Sequence, residues 1–265
     1  MYTFEYHRAQ SVADAAKLLA SKPEAKLLAG GHTLIPTMKL RLASPKAIVD
    51  LSRVAELKGI DKKGNALVIG ALTAHAEVAD SAVVKSSIPG LAALAGMIGD
   101  PHVRHRGTIG GSIANNDPAA DYPAALLALG ATVATNRREI KADSFFTGLF
   151  STALQDGEII TRISFPQPTK FGYSKFPNPA SRYALVGVAV AQTGGQVRVA
   201  VTGAGNNGVF RHTAMEAALA KDWSAAALNG ITTNASQMVS DIHGDAAYRA
   251  HLVGVMARRA VAAAG

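Results

Sequence analysis

Two glycine pairs restrict this chain more than any other feature. In the first, the apolar run Leu27-Leu28-Ala29 stops at Gly30-Gly31, and His32 and Thr33 follow. In the second, Thr108 and Ile109 lead into Gly110-Gly111, with Ser112 next. A glycine pair either makes a tight turn or lets the backbone come close to something that a side chain would hold away. Backbone N–H groups without a Cβ in the way can crowd around an anion, and an adjacent hydroxyl adds a donor. Two such polar turns suit a ligand with two adjacent phosphates. A plain strand-to-helix turn is the competing reading of each. Neither stretch is the G-x-G-x-x-G dinucleotide fingerprint, and no G-K-[ST] follows to make a P-loop.

Around these pairs the pattern mixes α and β. Ser11 is placed to cap a helix, with Asp14 as its capping-box partner, and Val12, Ala15, Ala16, Leu18 and Leu19 fall on one helical face. Pro23 stops that helix near Ser21. Stretches 25–30 and 46–52 read as short strands, so residues 1–55 form a small α/β unit. Strands are expected in 65–73, 131–135 and 156–166. Helices are expected in 73–81, capped by Thr73, in 88–99, and from Tyr122 to Gly130 with Pro123 at its start. Pro166, Pro168, Pro177 and Pro179 crowd 166–180 and mark a boundary between a second unit, 56–170, and a third, 171–265. In the third, 183–205 reads as two strands joined at Thr193-Gly194-Gly195, and the alanine-rich tail from Met215 as helix broken at Asn229-Gly230.

Composition narrows the chemistry. The chain has no Cys, so it cannot by itself build a disulfide, a zinc–thiolate site or an iron–sulfur cluster. His102 and His105 are spaced H-x-x-H, a weak metal signal alone; with Arg104 and Arg106 they read instead as a basic loop approaching the second glycine pair. There is no G-x-S-x-G elbow and no H-E-x-x-H. Asn115, Asn116, Asp117 and Asp121 follow the second pair; either Asp suits a ribose or adenine contact, or a cap for the helix near Pro123. The net charge of +8 is scattered, without a basic block or basic–aromatic repeat. Nucleic acid is therefore not expected, and an anionic cofactor or partner subunit accounts for the charge more economically. No signal peptide pattern and no apolar run of about 18 residues is visible, so a cytoplasmic protein without a membrane span is expected.

The stretches "AGGHTLIPTMKLRL" and "TIGGSIANNDPAADYP" together resemble the FAD-binding subunit of the molybdenum hydroxylases, the family of xanthine dehydrogenases, aldehyde oxidoreductases and aerobic carbon monoxide dehydrogenases. "YTFEYHRAQSVADAAKLL", "SKFPNPASRYALVGVAV" and "VRVAVTGAG" resemble it as well, so the likeness spans nearly the whole chain.

The resemblance implies an α+β architecture: the vanillyl-alcohol-oxidase-type FAD-binding fold of two α/β subdomains, then a C-terminal domain with a three-stranded antiparallel sheet and helices. It implies a first pyrophosphate loop of Leu28, Ala29, Gly30, Gly31, His32, Thr33, Leu34 and Ile35. Thr108, Ile109, Gly110, Gly111 and Ser112 would form the second. Asp121 would lie on the adenosine side and Ile98 beside the flavin. The strand around Ile160 would offer backbone to the isoalloxazine ring, Lys175 would sit near the flavin, and Tyr183 would cover a ring face. Ser112 is a departure, because the family often carries Asn there; backbone N–H groups are expected to carry the contact.

The implied function is an electron-transfer subunit with non-covalent FAD. Electrons would come from [2Fe–2S] clusters on a small iron–sulfur subunit and go to an external acceptor. A large subunit would hold the molybdenum cofactor, in a heterotrimer or its dimer. No residue of this chain is expected to act as catalytic acid or base on the organic substrate. The alternative is a self-sufficient flavin-dependent oxidoreductase of the same fold, which calls for a long substrate-domain insertion that 166–180 leaves little room for. A binding module that has lost FAD fits poorly with the intact glycine pairs, Asp121 and Lys175.

Overall fold

The computed structural model describes residues 1–264. Its first body runs β1 (Glu5–Arg8), α1 (Val12–Ser21), β2 (Ala25–Leu28), α2 (Leu34–Lys39) and β3 (Ala47–Asp50). The three strands pair in parallel in the order β1-β3-β2, which demands a crossover between each. The Ser11 hydroxyl accepts from the Asp14 N–H at 3.0 Å, while the Asp14 carboxylate reaches past it to the Gln10 N–H. The core here is small: Ala9, Ala15, Val49 and Leu51 are completed by Leu57, Leu72 and Ile159 from the next body. The first body is thus not closed on its own.

The second body begins with β4 (Ile60–Lys63) and β5 (Ala66–Gly70) and continues through helices α3 (His75–Asp80), α4 (Ala82–Ser87), α5 (Pro89–Gly96), α6 (Pro101–Arg104), α7 (Ile109–Asn115) and α8 (Tyr122–Leu129). It ends with β6 (Thr132–Thr135), β7 (Glu139–Lys141), α9 (Ala142–Phe145), the hairpin β8 (Phe146–Gly148) and β9 (Ser151–Thr152), and β10 (Ile160–Pro166). The antiparallel sheet has the order β4-β5-β10-β6-β7. Thr73 does not cap α3 as expected. Its hydroxyl is buried and donates to the Gly59 carbonyl, and Glu77 supplies the cap by accepting from the Ala74 N–H at 2.7 Å. Every residue of α8 is buried, and Gly130 closes it in the left-handed conformation. A helix without a polar face must be covered on all sides.

The cover comes from the third body. Strands β11 (Lys170–Pro177), β12 (Ala184–Thr193), β13 (Gln196–Thr202) and β14 (Phe210–Arg211) form an antiparallel sheet, followed by α10 (Thr213–Lys221) and α11 (Ala246–Ala263). Alternation along β12 decides what each face meets. Ala189 and Ala191 join the core that contains α8, whereas Val186, Val188 and Val190 join the core of α10 and α11. The three long strands are as the resemblance implied, with two-residue β14 added at one edge. The proline-rich stretch is mostly strand: Pro166 ends β10, Pro177 ends β11, and only residues 167–169 cross between them. The tail interruption is also longer than Asn229-Gly230 suggests. Residues 222–245 hold only two 3-10 turns, where Ser224 accepts from the Ala227 N–H and Asn234 from the Ser236 N–H, local contacts that compete with helix.

Candidate functional site

Strand β2 runs into the first glycine pair, and the pair performs both of its tasks. Gly31 has φ +80°, a conformation L side chains rarely adopt, and it turns the chain into α2. Gly30 crosses another segment so closely that a Cβ there would stand 2.0 Å from the Arg106 carbonyl oxygen. The consequence is electrostatic. Among the described residues, the N–H groups of Gly30, Gly31, His32, Thr33 and Leu34 have no protein acceptor, so five consecutive donors stand free.

The second pair is not a turn, and this corrects its reading as a loop. Gly110 and Gly111 lie in the first turn of α7, which Thr108 caps by accepting from the Gly111 N–H at 3.2 Å. The remaining N–H groups are also engaged: Ile109 donates to Thr73 O, Gly110 to Ala71 O and Ser112 to Thr108 O, at 2.9–3.1 Å. From Ile109 to Ser112 the backbone donors are therefore taken, unlike those at the first pair. The two glycines serve different neighbours. A Cβ on Gly110 would sit 2.6 Å from the Ala71 Cβ, whereas one on Gly111 would point toward Ala29 across the gap, 3.8 Å from its Cβ.

Between the two segments lies a cleft of about 760 Å³. Leu28, Ala29, Gly30, Gly31, His32, Thr33, Leu34, Ile98, Thr108, Gly110, Gly111, Ser112, Asp121, Ile160 and Tyr183 all line it. Three residues expected at the site do not. Ile35 packs beneath Gly31, Ile109 is fully buried in the core of the second body, and Lys175 stands behind Asp121. The Lys175 ammonium is 3.0 Å from the Asp121 carboxylate and donates to the Met97 carbonyl at 2.9 Å; the two side chains are 3% and 4% exposed. Tyr173 donates its hydroxyl to the same carboxylate. Asp121 and Lys175 thus act as one ion pair, with Asp121 lining the cleft and Lys175 behind it. Burial pushes the Asp121 carboxyl up, against the pull of the Lys175 charge and the Tyr173 hydroxyl. Asp121 caps nothing, while Asp117 accepts from the Ala119 N–H in a local turn.

Sequence reasoning missed two residues that shape the cleft. His75, inside α3, lines it and packs against Tyr122, with ring centroids 5.4 Å apart and the rings tilted at 47°. Burial lowers its pKa to about 4, so the ring is neutral near pH 7. Glu158 lies in the lining segment 154–160, and its side chain has no exposed surface. It accepts from the Arg138 guanidinium, the Thr135 hydroxyl and the Gln155 N–H, each at 2.8 Å. The Asp-Gly-Glu stretch shows a turn but gives no sign of Arg138 as partner. His105 Nδ1 donates to the Pro101 carbonyl, and no group of three or more metal-ligating side chains occurs among the described residues.

Glu158 carries a pH prediction. Arg138 foremost holds its carboxyl down, from an ordinary 4.5 to about 2. A depressed folded-state pKa contributes stability that is present above the unfolded value and lost as pH falls toward the folded one. Glu158→Gln should therefore lower the melting temperature near neutral pH. The gap from wild type should close between about pH 4.5 and about pH 2. Thermal unfolding across that range checks it; a constant gap would assign the loss to packing.

Comparison with known proteins matches this geometry. Residues 2–168 match the family described as FAD binding domain in molybdopterin dehydrogenase, and residues 171–264 match the CO dehydrogenase flavoprotein C-terminal domain. That succession defines a class, the flavoprotein components of molybdenum-dependent dehydrogenases. The carbon monoxide dehydrogenase medium chain of Hydrogenophaga pseudoflava is 37% identical, over 98% of this chain and 96% of that one. The nicotine 6-hydroxylase medium subunit of Paenarthrobacter nicotinovorans is 35% identical over the same shares. Among solved structures, carbon monoxide dehydrogenase from Hydrogenophaga pseudoflava superposes with a TM-score of 0.86 at 37% identity, covering 99% of this chain and 97% of that one. Quinoline 2-oxidoreductase from Pseudomonas putida 86 does so with 0.85 at 28% identity and the same coverage. The chain belongs to the family of FAD-binding subunits of the molybdenum hydroxylases, and is an oxidoreductase component with FAD as its cofactor.

Proposed function

We propose that this chain holds FAD non-covalently in the cleft and relays electrons from [2Fe–2S] clusters on a small partner subunit to an external acceptor. A large subunit would hold the molybdenum cofactor, in a heterotrimer or its dimer. The observation that carries the reading is the run of five free N–H donors from Gly30 to Leu34, facing a helix that brings two more hydroxyls, Thr108 and Ser112. Such an array fits a pyrophosphate and has little use otherwise. Because the α7 backbone is engaged, the Ser112 side chain matters more than the glycines beside it suggest.

Bound flavin supplies the chemistry that joins one-electron and two-electron partners. The chain's part is to bind, orient and shield. The first loop binds the phosphates, and Ile98, Ile160 and Tyr183 flank the ring. Asp121, held in place by Lys175 behind it, gives the cleft a fixed polar side chain. The three-residue crossing between β10 and β11 leaves no space for a substrate domain, which disfavours the self-sufficient oxidoreductase. No helix among the described residues is long and apolar enough to cross a membrane, in keeping with a cytoplasmic complex.

A visible absorption spectrum of the purified chain, before and after acid precipitation, tests the proposal. Flavin bands that move to the supernatant are expected. Flavin on the precipitate would mean covalent attachment, and a colourless chain that takes up no added FAD would defeat the reading.

A further inference from the structure

The exposed large apolar side chains are not spread evenly, and one group is attached to the cofactor loop. Helix α2 has only six residues; the free-donor loop is at one end and Leu40-Arg41-Leu42 at the other. Leu40 is 70% exposed and Leu42 77%. Arg41 between them is left-handed, with φ +62°, an uncommon state for a long side chain and one associated with functional surfaces. That backbone is pinned: Arg41 N–H donates to Met38 O and Leu42 N–H to Thr37 O. The Arg41 guanidinium lies 5.5 Å from the centre of the half-exposed Tyr2 ring, which brings the N-terminal residues into the same patch.

The segment that carries the patch is basic along the sequence, between Glu24 and Asp50. From Ala25 to Val49 the chain carries Lys26, Lys39, Arg41 and Lys46 and no Asp or Glu. An apolar centre with a basic rim fits an apolar surface ringed by carboxylates. Leu42 and Ala43 also line the cleft, so whatever covers this patch comes up against the cofactor. Electron transfer falls steeply with distance, which favours the redox partner over a purely structural one.

We propose that Tyr2, Leu40, Arg41 and Leu42 form the docking surface for an apolar, acid-rimmed face of the iron–sulfur subunit. This rests on the electron-relay function proposed above. Docking here presses on the end of α2, whose other end forms the phosphate loop, so partner and cofactor binding share one short lever.

The test uses the whole complex. Leu40→Asp and Arg41→Glu are each produced with all partner subunits. FAD, iron and acid-labile sulfide are then counted per complex after gel filtration. The expected result is wild-type FAD with loss of the iron–sulfur subunit, its dissociation constant rising at least about tenfold. For Arg41→Glu, added salt should narrow the difference from wild type. Full iron–sulfur content in both variants, or departure of the molybdenum subunit instead, overturns the assignment. Should Leu40→Asp disturb the fold and lose FAD, Arg41→Glu decides alone. A wild-type chain without FAD would defeat the relay function and not the docking surface.

Discussion

Gly111→Val yields a folded chain that binds FAD more weakly, and Gly110→Val yields one that does not fold properly. The neighbours of each glycine set the difference. At Gly111 a Cβ meets the Thr108 hydroxyl at 2.9 Å and then the open side of the cleft toward Ala29. A branched side chain fills the gap between α7 and the first loop while leaving the core untouched. At Gly110 the same atom lands 2.6–2.9 Å from the Cβ, carbonyl oxygen and Cα of Ala71, in the seam between α7 and the end of β5. Overpacking of this kind costs about 1–3 kcal/mol, and more when backbone must move. For Gly111→Val the same range, applied to the bound state alone, gives about a fivefold to 150-fold loss of FAD affinity. Flavin-to-protein ratio, circular dichroism and gel filtration separate the outcomes. A Gly111→Val chain with full flavin would remove α7 from the site.

Lys175→Ala is expected to lower stability by about 3–5 kcal/mol, because it strands the Asp121 carboxylate in a site with almost no water. For a chain of this size that is roughly 10 °C in melting temperature. The loss has a characteristic pH dependence. Burial already raises the Asp121 pKa, and Lys175 opposes the rise. Without the lysine the folded-state pKa climbs further. A raised carboxyl pKa costs stability as pH increases from the unfolded value to the folded one, so the variant's deficit grows on going from about pH 4 to neutrality. Adding Asp121→Asn should recover part of the loss, since both charges are then gone. Thermal melts of the two variants at several pH values check this. A deficit independent of pH would show that Lys175 acts through its packing.

What the sequence disclosed was mostly local. The turn at Gly31, the Ser11 cap, Gly130 after α8 and the hairpin at Gly194-Gly195 each depend on residues within a few positions, and each formed as read. The second glycine pair misled for a physical reason. Glycines suggest a turn, but Thr108, two residues before Gly110, supplies a cap, and Ala71 at the end of β5 supplies a surface that only a glycine-faced helix can approach. Asp121 and Lys175 were both identified, yet their pairing spans 54 positions and brings together two bodies, so nothing in either segment announces it. Glu158 was invisible for the same reason: its partner Arg138 stands 20 residues away, in a turn with its own local logic. The resemblance to the molybdenum hydroxylase flavoproteins supplied the cofactor, where residue chemistry alone left turn and phosphate loop equally open.

Helix α8 has a consequence for how such a chain can change over evolutionary time. It lies before the point where the two matched families meet, between residues 168 and 171, but one side of it rests on the alanine face of β12 beyond that point. The seam visible in sequence comparison is therefore not a seam in the molecule. A swap of the C-terminal half between relatives would have to bring a sheet of matching small-residue relief, or leave an entirely apolar helix exposed. The two halves are best regarded as a single heritable cassette, free to diversify at its rim and loops but not at the joint.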